Sequence, residues 1–391
     1  MAKRSNKQLK AVQAAKARKK RRNRRKKRAI ILIVEIIILL MLSGTAYVMA
    51  KYDKFQKVEI NSDDIKINEG VKMEGYTTMA LFGGDSREGQ LEAGTHADTI
   101  IIAVMDHDKK EIRMASVYRD TLLEQEEGSY NKANYAYFSG GPVDAINMLN
   151  KNLDLNIEDY ATVDFKAMAD VVDLIGGIEI DVTDAEADML NEYIGETAKV
   201  AKKEAHTLNG GGTYNLDGPQ AVTYARLRKL EGGDYKRTER QRLVIQKIFE
   251  KAVKMDVGTL NKLVDTVFPQ VSTSFTLKEI VNLGSAGITY KLSDSTGFPF
   301  DRDDSKRYKG TSVVVAQGLA ENVQQLHEFL YPSETEYTVS DIVQSISDDI
   351  MNTTGVTRPK ELDEEKTEGE ETSDTSVGEE MTSEEVDSEE Q

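Results

Sequence analysis

The chain has no cysteine and only four histidines, His96, His107, His206 and His327, among its 391 residues. Without cysteine there are no disulfides and no thiol catalysis, and without an HExxH pair the familiar zinc sites lack their ligands. Neither a GxSxG elbow nor a Walker A sequence occurs, so two large enzyme classes lose their signatures. Charge is missing selectively as well. Residues 1–28 hold fifteen Lys and Arg and no acid, whereas residues 361–391 hold fifteen Asp and Glu against the single Lys366. The net charge of −16 therefore averages three unlike segments, and the central one is itself acidic.

One long apolar run is present, AIILIVEIIILLMLSGTAYVMA at residues 29–50. Its roughly 33 Å as a helix matches a bilayer core of about 30 Å, which predicts a transmembrane span. The positive charge ahead of it places the N-terminus in the cytoplasm and the remainder outside, a single-pass type II arrangement in the cell membrane. The run is long for a cleaved signal peptide, and Gly44, Ala46 and Ala50 make a poor cleavage site. Glu35, near the cytoplasmic end, is within reach of headgroups and Arg28. The basic tail reads as an orientation signal against anionic lipid rather than a nucleic-acid arm. An exported, cysteine-free chain suits the exterior of a Gram-positive bacterium. The expected organisation is a cytoplasmic tail (1–28), a span (29–50), a linker (51–75), an extracellular domain (76–350) and a solvated acidic tail (351–391).

Within the body two periods alternate. YTTMALF (76–82) and TIIIAVM (99–105) read as buried strands, and the turn DHDKK joins the second to EIRMASVY as a hairpin. Helical patterns follow in VDAINMLNKNL after Pro142 and in FKAMADVVDLIGG, which precedes the short strand IEIDV. Asp217-Gly218-Pro219 opens another helix, and a long amphipathic one is expected over about 235–255. TLKEIVNLG and GLAENVQQLHEFL read as further helices beside the strand candidates GITYKLS and TSVVVA. Interleaved strands and helices predict one α/β domain with a central sheet.

Carboxylates and arginines remain, in turns next to apolar strands, where α/β sheets hold ligands. GGDSR (83–87) follows the first strand, HADT (96–99) opens the second and YRDT (118–121) closes the third. LRKLEGGDYKRTERQR (227–242) adds Arg228, Arg237, Arg240 and Arg242. Carboxylates with several guanidiniums suit a phosphodiester or pyrophosphate, since Mg²⁺ takes oxygen ligands and Arg grips phosphate bidentately. The alternative is a solvated helix on which these arginines pair with Glu231, Asp234 and Glu239. Arg226 and Arg228 share a face only where the chain is not helical.

The order of the whole set decides the comparison. DSR, DT before an apolar strand, RDT, NKANYAYFSGG, DFKAMADVVDLIGGIEI, LxGPQAVTYARLR and GDxxRxxRQ resemble the LytR-CpsA-Psr family of bacterial wall assembly proteins across about residues 76–255. The resemblance implies an α/β/α sandwich with a central mixed sheet enclosing a polyprenyl chain. It implies a Mg²⁺-dependent phosphotransferase that moves a glycopolymer, such as wall teichoic acid or capsule, from an undecaprenyl-pyrophosphate carrier to peptidoglycan through a phosphodiester. By motif, Asp85 and Asp98 match the Mg²⁺-linked carboxylates, and Arg119, Arg226 and Arg228 the pyrophosphate contacts. Lys132, Arg237, Arg240 and Gln241 match the remaining polar positions. The run Ile100-Ile101-Ile102 and the helix around Met168, Val171 and Val172 are candidates for a lipid tunnel, with core packing expected for most of them.

Three positions depart from the family pattern. His96-Ala97 stands where Arg-Ser is usual, Tyr118 where Pro precedes Arg119, and Arg242 where a second Gln closes the last motif. A compensating phosphate contact is expected from Arg87 or Arg242. Rival functions are a polyprenyl-pyrophosphate phosphatase, with water as acceptor, a membrane-bound regulator of envelope genes, and a non-catalytic lipid or wall-binding module.

Overall fold

The computed structural model describes residues 46–54, 56–57, 60–84, 91–287, 289–333 and 337–359. Asp85, Arg87, both charged tails and residues 29–45 of the predicted span lie outside these. Among the described residues no helix is long and apolar enough to cross a membrane. Residues 46–52 are helical.

Seven strands form one mixed sheet in the order β1 (Gln56–Lys57), β10 (Val271–Thr273), β7 (Asp159–Asp164), β2 (Tyr76–Gly84), β3 (Ala97–Asp106), β4 (Glu111–Val117) and β11 (Lys291–Phe298). The expected β3–β4 hairpin is present, with Ile101 opposite Ser116 and Met105 opposite Ile112. The three parallel pairs, β1–β10, β2–β7 and β4–β11, need crossovers, and helices supply them.

Helices cover both faces of the sheet. Strand β3 explains why, because its apolar run is continuous and period two sends alternate residues to opposite faces. Ile100, Ile102 and Val104 enter the core beneath α1 (Ala133–Leu153), α8 (Leu319–Leu330) and α9 (Asp341–Thr354). Ile101, Ala103 and Met105 meet the residues of α5 (Gly233–Ala252) and α7 (Leu277–Gly287), including Ile245, Ile280 and Leu283. The architecture is α/β with a central mixed sheet, as the interleaved pattern predicts.

Several elements differ from expectation for local reasons. Helix α1 begins at Ala133, not after Pro142, and Gly141 at φ 76° kinks it so that Pro142 starts a second segment. IEIDV forms β8 (Ile178–Val182) but pairs with β9 (Gly212–Leu216) outside the central sheet. TSVVVA contributes only two short ladder pieces, Thr311–Ser312 and Val315–Ala316. The sequence reading assigned nothing to Asp184–Ala201, which is helix α3, although Thr183 and Glu186 form a full capping box at its start. With α2 (Phe165–Leu174) and α4 (Gly218–Arg226), it builds a lobe whose core includes Val172, Leu190, Leu216 and Val244.

The chain after the predicted span is fastened to α6 (Val257–Val267). Lys51 and Lys54 both meet Asp265, Lys54 at 2.7 Å, and Tyr52 Oη donates to the Phe275 carbonyl at 3.2 Å.

Candidate functional site

The first turn of β3 and the last of β4 lie side by side at one edge of the sheet, because the two strands are an antiparallel pair. That pairing brings Asp98, at the start of β3, to Arg119, two residues past the end of β4. The Arg119 guanidinium donates to Asp98 Oδ1 at 2.5 Å. Helix α4 ends at Arg226, and Leu227 at φ −61°, ψ 125° returns the chain to an extended form. That single extended residue turns Arg226 and Arg228 toward one space, a cavity of about 360 Å³ whose wall includes both. Arg228 also stands 3.8 Å from Asp98 Oδ2. From the first turns of α5, Arg237 donates to the Asp98 backbone carbonyl at 3.1 Å and to Asp234 at 3.0 Å.

Arg237 is only 2 % exposed and has more donors than partners. Its Nη1 lies 3.0 Å from Asp234 Oδ1 but out of line for a hydrogen bond, and its Nε has no partner. Arg119 Nε is likewise buried without one, with Asp234 at 3.9 Å and Asp120 at 4.0 Å. Unmet buried donors are uncommon and mark places where an acceptor is missing. Burial by itself would raise the Asp98 carboxyl, but Arg119, Arg237 and Arg228 outweigh it and hold the group below the usual carboxylate range. Burial and the repulsion of Arg119 and Arg228 drive Arg237 down to about 10, against Asp234 and Asp98, so it stays charged at neutral pH.

Behind the cluster lies a second, apolar space. A cavity of about 200 Å³ runs between the sheet and α2, α4 and α5, walled by Leu81, Ile101, Val163, Phe165, Met168 and Val244, with Thr99, Asp164, Arg226 and Gln241 as its polar members. Arg226 sits over the Phe165 ring at 4.5 Å, so one guanidinium belongs to the walls of both cavities. Gln241 Oε1 is buried there without a partner. Of the residues named as tunnel candidates, Ile101 and Met168 line this space. Ile100 and Ile102 face the opposite core, and Val171 and Val172 pack elsewhere.

Asp98, Arg119, Arg226, Arg228, Arg237 and Gln241 therefore converge. Lys132 stands to one side, where its Nζ donates to Asp120 at 2.9 Å. Arg240 does not join them. It is 8 % exposed, its Nε donates to Glu186 at 2.8 Å and its Nη1 to the Leu227 carbonyl at 3.3 Å. Asp85 lies outside the described residues. Arg242 faces Ser295, to which its Nε donates at 3.2 Å, so it does not replace the arginine missing at His96. His96 stacks on Phe138, ring centroids 4.4 Å apart.

Sequence reasoning missed Asp234 as a member of the site. It appeared only as a helix-surface partner, and that partnership with Arg237 is real, but Arg237 is buried, Asp234 is partly so, and the contact extends to Arg119. Among the described residues no group of three or more His, Asp or Glu forms a metal cage by itself.

A partly buried guanidinium cluster beside an apolar cavity is the arrangement an amphiphilic phosphate needs. The LytR_cpsA_psr family model matches residues 38–327, most of the chain. The chain belongs to the LytR-CpsA-Psr family. Among curated relatives of this family member, the polyisoprenyl-teichoic acid–peptidoglycan teichoic acid transferase TagV of Bacillus subtilis is 27% identical over 238 residues, 58% of this chain and 58% of TagV. The chain thus spans less than two thirds of that relative's length. The regulatory protein MsrR of Staphylococcus aureus is 29% identical, covering 63% of this chain and 76% of MsrR. The Bacillus subtilis protein TagT, solved with bound octaprenyl pyrophosphate lipid, aligns with a TM-score of 0.50 and 21% identity, over 70% of this chain and 99% of that one. That likeness establishes the shared mixed α/β fold.

Proposed function

We propose that the chain is a phosphotransferase that attaches a polyprenyl-pyrophosphate-linked glycopolymer to peptidoglycan through a phosphodiester. The observation that carries this reading is Arg226, which bridges the apolar cavity and the cationic cluster. A ligand filling both has a hydrocarbon chain joined directly to a pyrophosphate. The teichoic acid transferase named among the relatives and the lipid bound in the TagT structure support the same choice.

Arg119, Arg226, Arg228 and Arg237 bind and neutralise the pyrophosphate, each guanidinium offering paired donors to phosphate oxygens. The acceptor hydroxyl oxygen attacks the phosphorus that carries the glycan. The new P–O bond forms as the bridging P–O bond breaks, and polyprenyl phosphate leaves with the electron pair. The hydroxyl proton passes to Asp98 or to the departing phosphate. Such a transfer depends on positioning and charge neutralisation more than on covalent chemistry by the protein. Asp98 fits a Mg²⁺ site, because its Oδ2 is only loosely met, at 3.8 Å, by Arg228. Mg²⁺ needs one or two carboxylates besides phosphate oxygens, and Asp85 is the proposed second. When bound, the ion supplies further neutralisation of the phosphates. The N-terminal run would tether the domain to the plane in which the lipid moves, raising its effective concentration.

The test incubates the full-length protein in detergent with a labelled polyprenyl-pyrophosphoryl glycan and peptidoglycan. Transfer predicts label in the wall polymer and release of polyprenyl monophosphate, both lost in Arg119→Ala. Label appearing only as free glycan phosphate makes the protein a phosphatase. Lipid binding with no label in the wall polymer and no polyprenyl monophosphate released makes it a binding module and ends the proposal.

A further inference from the structure

Helix α5 separates two cavities. Gln241, Val244 and Ile245 face the apolar one. Arg242, Glu239 and Gln246 face the other way, toward β11, and wall a space of about 470 Å³ with Ser295, Thr296 and Arg302. Tyr118, whose neighbour Arg119 holds Asp98, is also part of that wall. The second cavity therefore adjoins the guanidinium cluster on the side of α5 away from the apolar one.

Its lining is short of negative charge. Arg242 is 6 % exposed, and its Nη1 is buried with no hydrogen-bond partner while Nε donates to Ser295. Arg302 lies over the Tyr235 ring at 4.0 Å and the Tyr118 ring at 5.1 Å, fixed by bonds from its Nη1 to the carbonyls of Pro299 and Phe300. Glu239 is the one carboxylate in the wall, and Lys236 holds it at 2.7 Å. Two oriented guanidiniums, three hydroxyls and an amide thus face one carboxylate that is already paired.

We propose that the α5–β11 cavity is an anion subsite in which Arg242 and Arg302 grip a phosphodiester within the glycopolymer part of the donor. This rests on the phosphotransfer reading above. Direction favours the donor: the hydrocarbon chain fills the cavity on one side of α5 and the pyrophosphate spans the middle, so the polymer continues on the other side. Chemistry favours phosphate, since paired guanidinium forks match its oxygens and the neutral donors suit the remainder. The volume admits a phosphate with part of its flanking residues, which is more than a lone carboxylate needs. Burial pushes Arg242 below the usual arginine range, against Tyr118 and Glu239, and a bound phosphate would reverse that shift.

The test uses the full-length protein in detergent and two probes, a soluble glycerol phosphate trimer and octaprenyl pyrophosphate bearing no polymer. The trimer should bind wild type and lose about tenfold in affinity in Arg242→Gln, or about 1.4 kcal/mol. Octaprenyl pyrophosphate should bind both proteins equally. Ser295→Asp, which leaves Arg242 in place and sets a carboxylate beside it, should reproduce the loss and guards against a folding defect in the first variant. Equal trimer affinity in all three proteins overturns the subsite. So does a loss seen only in the KM for a peptidoglycan fragment, which would make the cavity an acceptor site. Failure of wild type to bind octaprenyl pyrophosphate, with trimer binding intact, would overturn the phosphotransfer reading instead.

Discussion

Replacing Asp98 by Asn separates two effects that the cluster combines. The carboxylate is 15% exposed and holds Arg119 at 2.5 Å and Arg228 at 3.8 Å. Breaking a buried ion pair costs about 3–5 kcal/mol, and the amide retains a neutral hydrogen bond worth about 1 kcal/mol, which leaves a loss of about 3 kcal/mol. For a body of this size that lowers Tm by roughly 5 °C. Anion binding should move the other way. Without Asp98 the guanidiniums lose their internal competitor, and the repulsion between that carboxylate and a pyrophosphate disappears. Inorganic pyrophosphate should then bind Asp98→Asn at least about tenfold more tightly and stabilise it by about 1.4 kcal/mol more than wild type at equal excess. The assay is thermal unfolding followed by circular dichroism, with and without pyrophosphate, in chelator so that no metal intervenes. Asp98 is held below its ordinary range, so its contribution is present above the unfolded pKa of about 4 and is lost as pH falls through the folded value. The Tm difference between the two proteins should therefore close in acid. Pyrophosphate stabilising the variant no more than wild type would refute the idea that Asp98 occupies an anion's place.

Three other substitutions probe separate parts. Ala225→Phe fills the apolar cavity at a packing cost of about 1–3 kcal/mol, so octaprenyl pyrophosphate binding should fall sharply while inorganic pyrophosphate binding stays the same in a titration of each. Glu186→Ala strands Arg240 in the interior and should cost about 3–5 kcal/mol in denaturant unfolding, with kcat of the folded protein near wild type. Burial raises Glu186, but the Thr183 amide and Arg240 hold it below its usual range, so this deficit should shrink as pH falls below about 4. Gly297→Ala sets a Cβ 2.1 Å from Tyr118 Oη, and the displaced ring should weaken glycerol phosphate binding before it alters pyrophosphate binding, as paired titrations will read.

The fold was legible where burial on both faces leaves a continuous apolar strand, as in β3, and where a cap and a proline mark a helix start, as at Asp217 and Pro219. It was less legible where the register with a distant partner decides the outcome. β8 and TSVVVA read as strands, yet nothing local says which sheet they enter. The site shows the same limit. On α5 the residues turn by about 100° each, so relative to Arg237 the next positions point at about −60° for Arg240, +40° for Gln241 and +140° for Arg242. Those angles were available from the sequence. What stands opposite each one was not: Glu186 meets Arg240 from α3, a helix that went unassigned because its apolar stripe is thin, and Ser295 meets Arg242 from the far edge of the sheet. Three arginines that look alike in a motif thus divide into a ligand-facing group, an internal tie and the wall of another cavity.

The same division explains why an acidic protein keeps a positive site. Among the described residues, Asp98, Asp234 and Asp120 answer Arg119, Arg228 and Arg237, with Arg226 close by, so four guanidiniums face three carboxylates and several of their nitrogens are unmet. A surface helix would relieve this by turning side chains into water. Arg237 has no such route, because β3 lies against it and its own helix is packed over the sheet. The surrounding core therefore bears the cost of a half-neutralised cluster. In the proposed reading an arriving pyrophosphate would remove that cost, and donors already oriented would lose little entropy in meeting it.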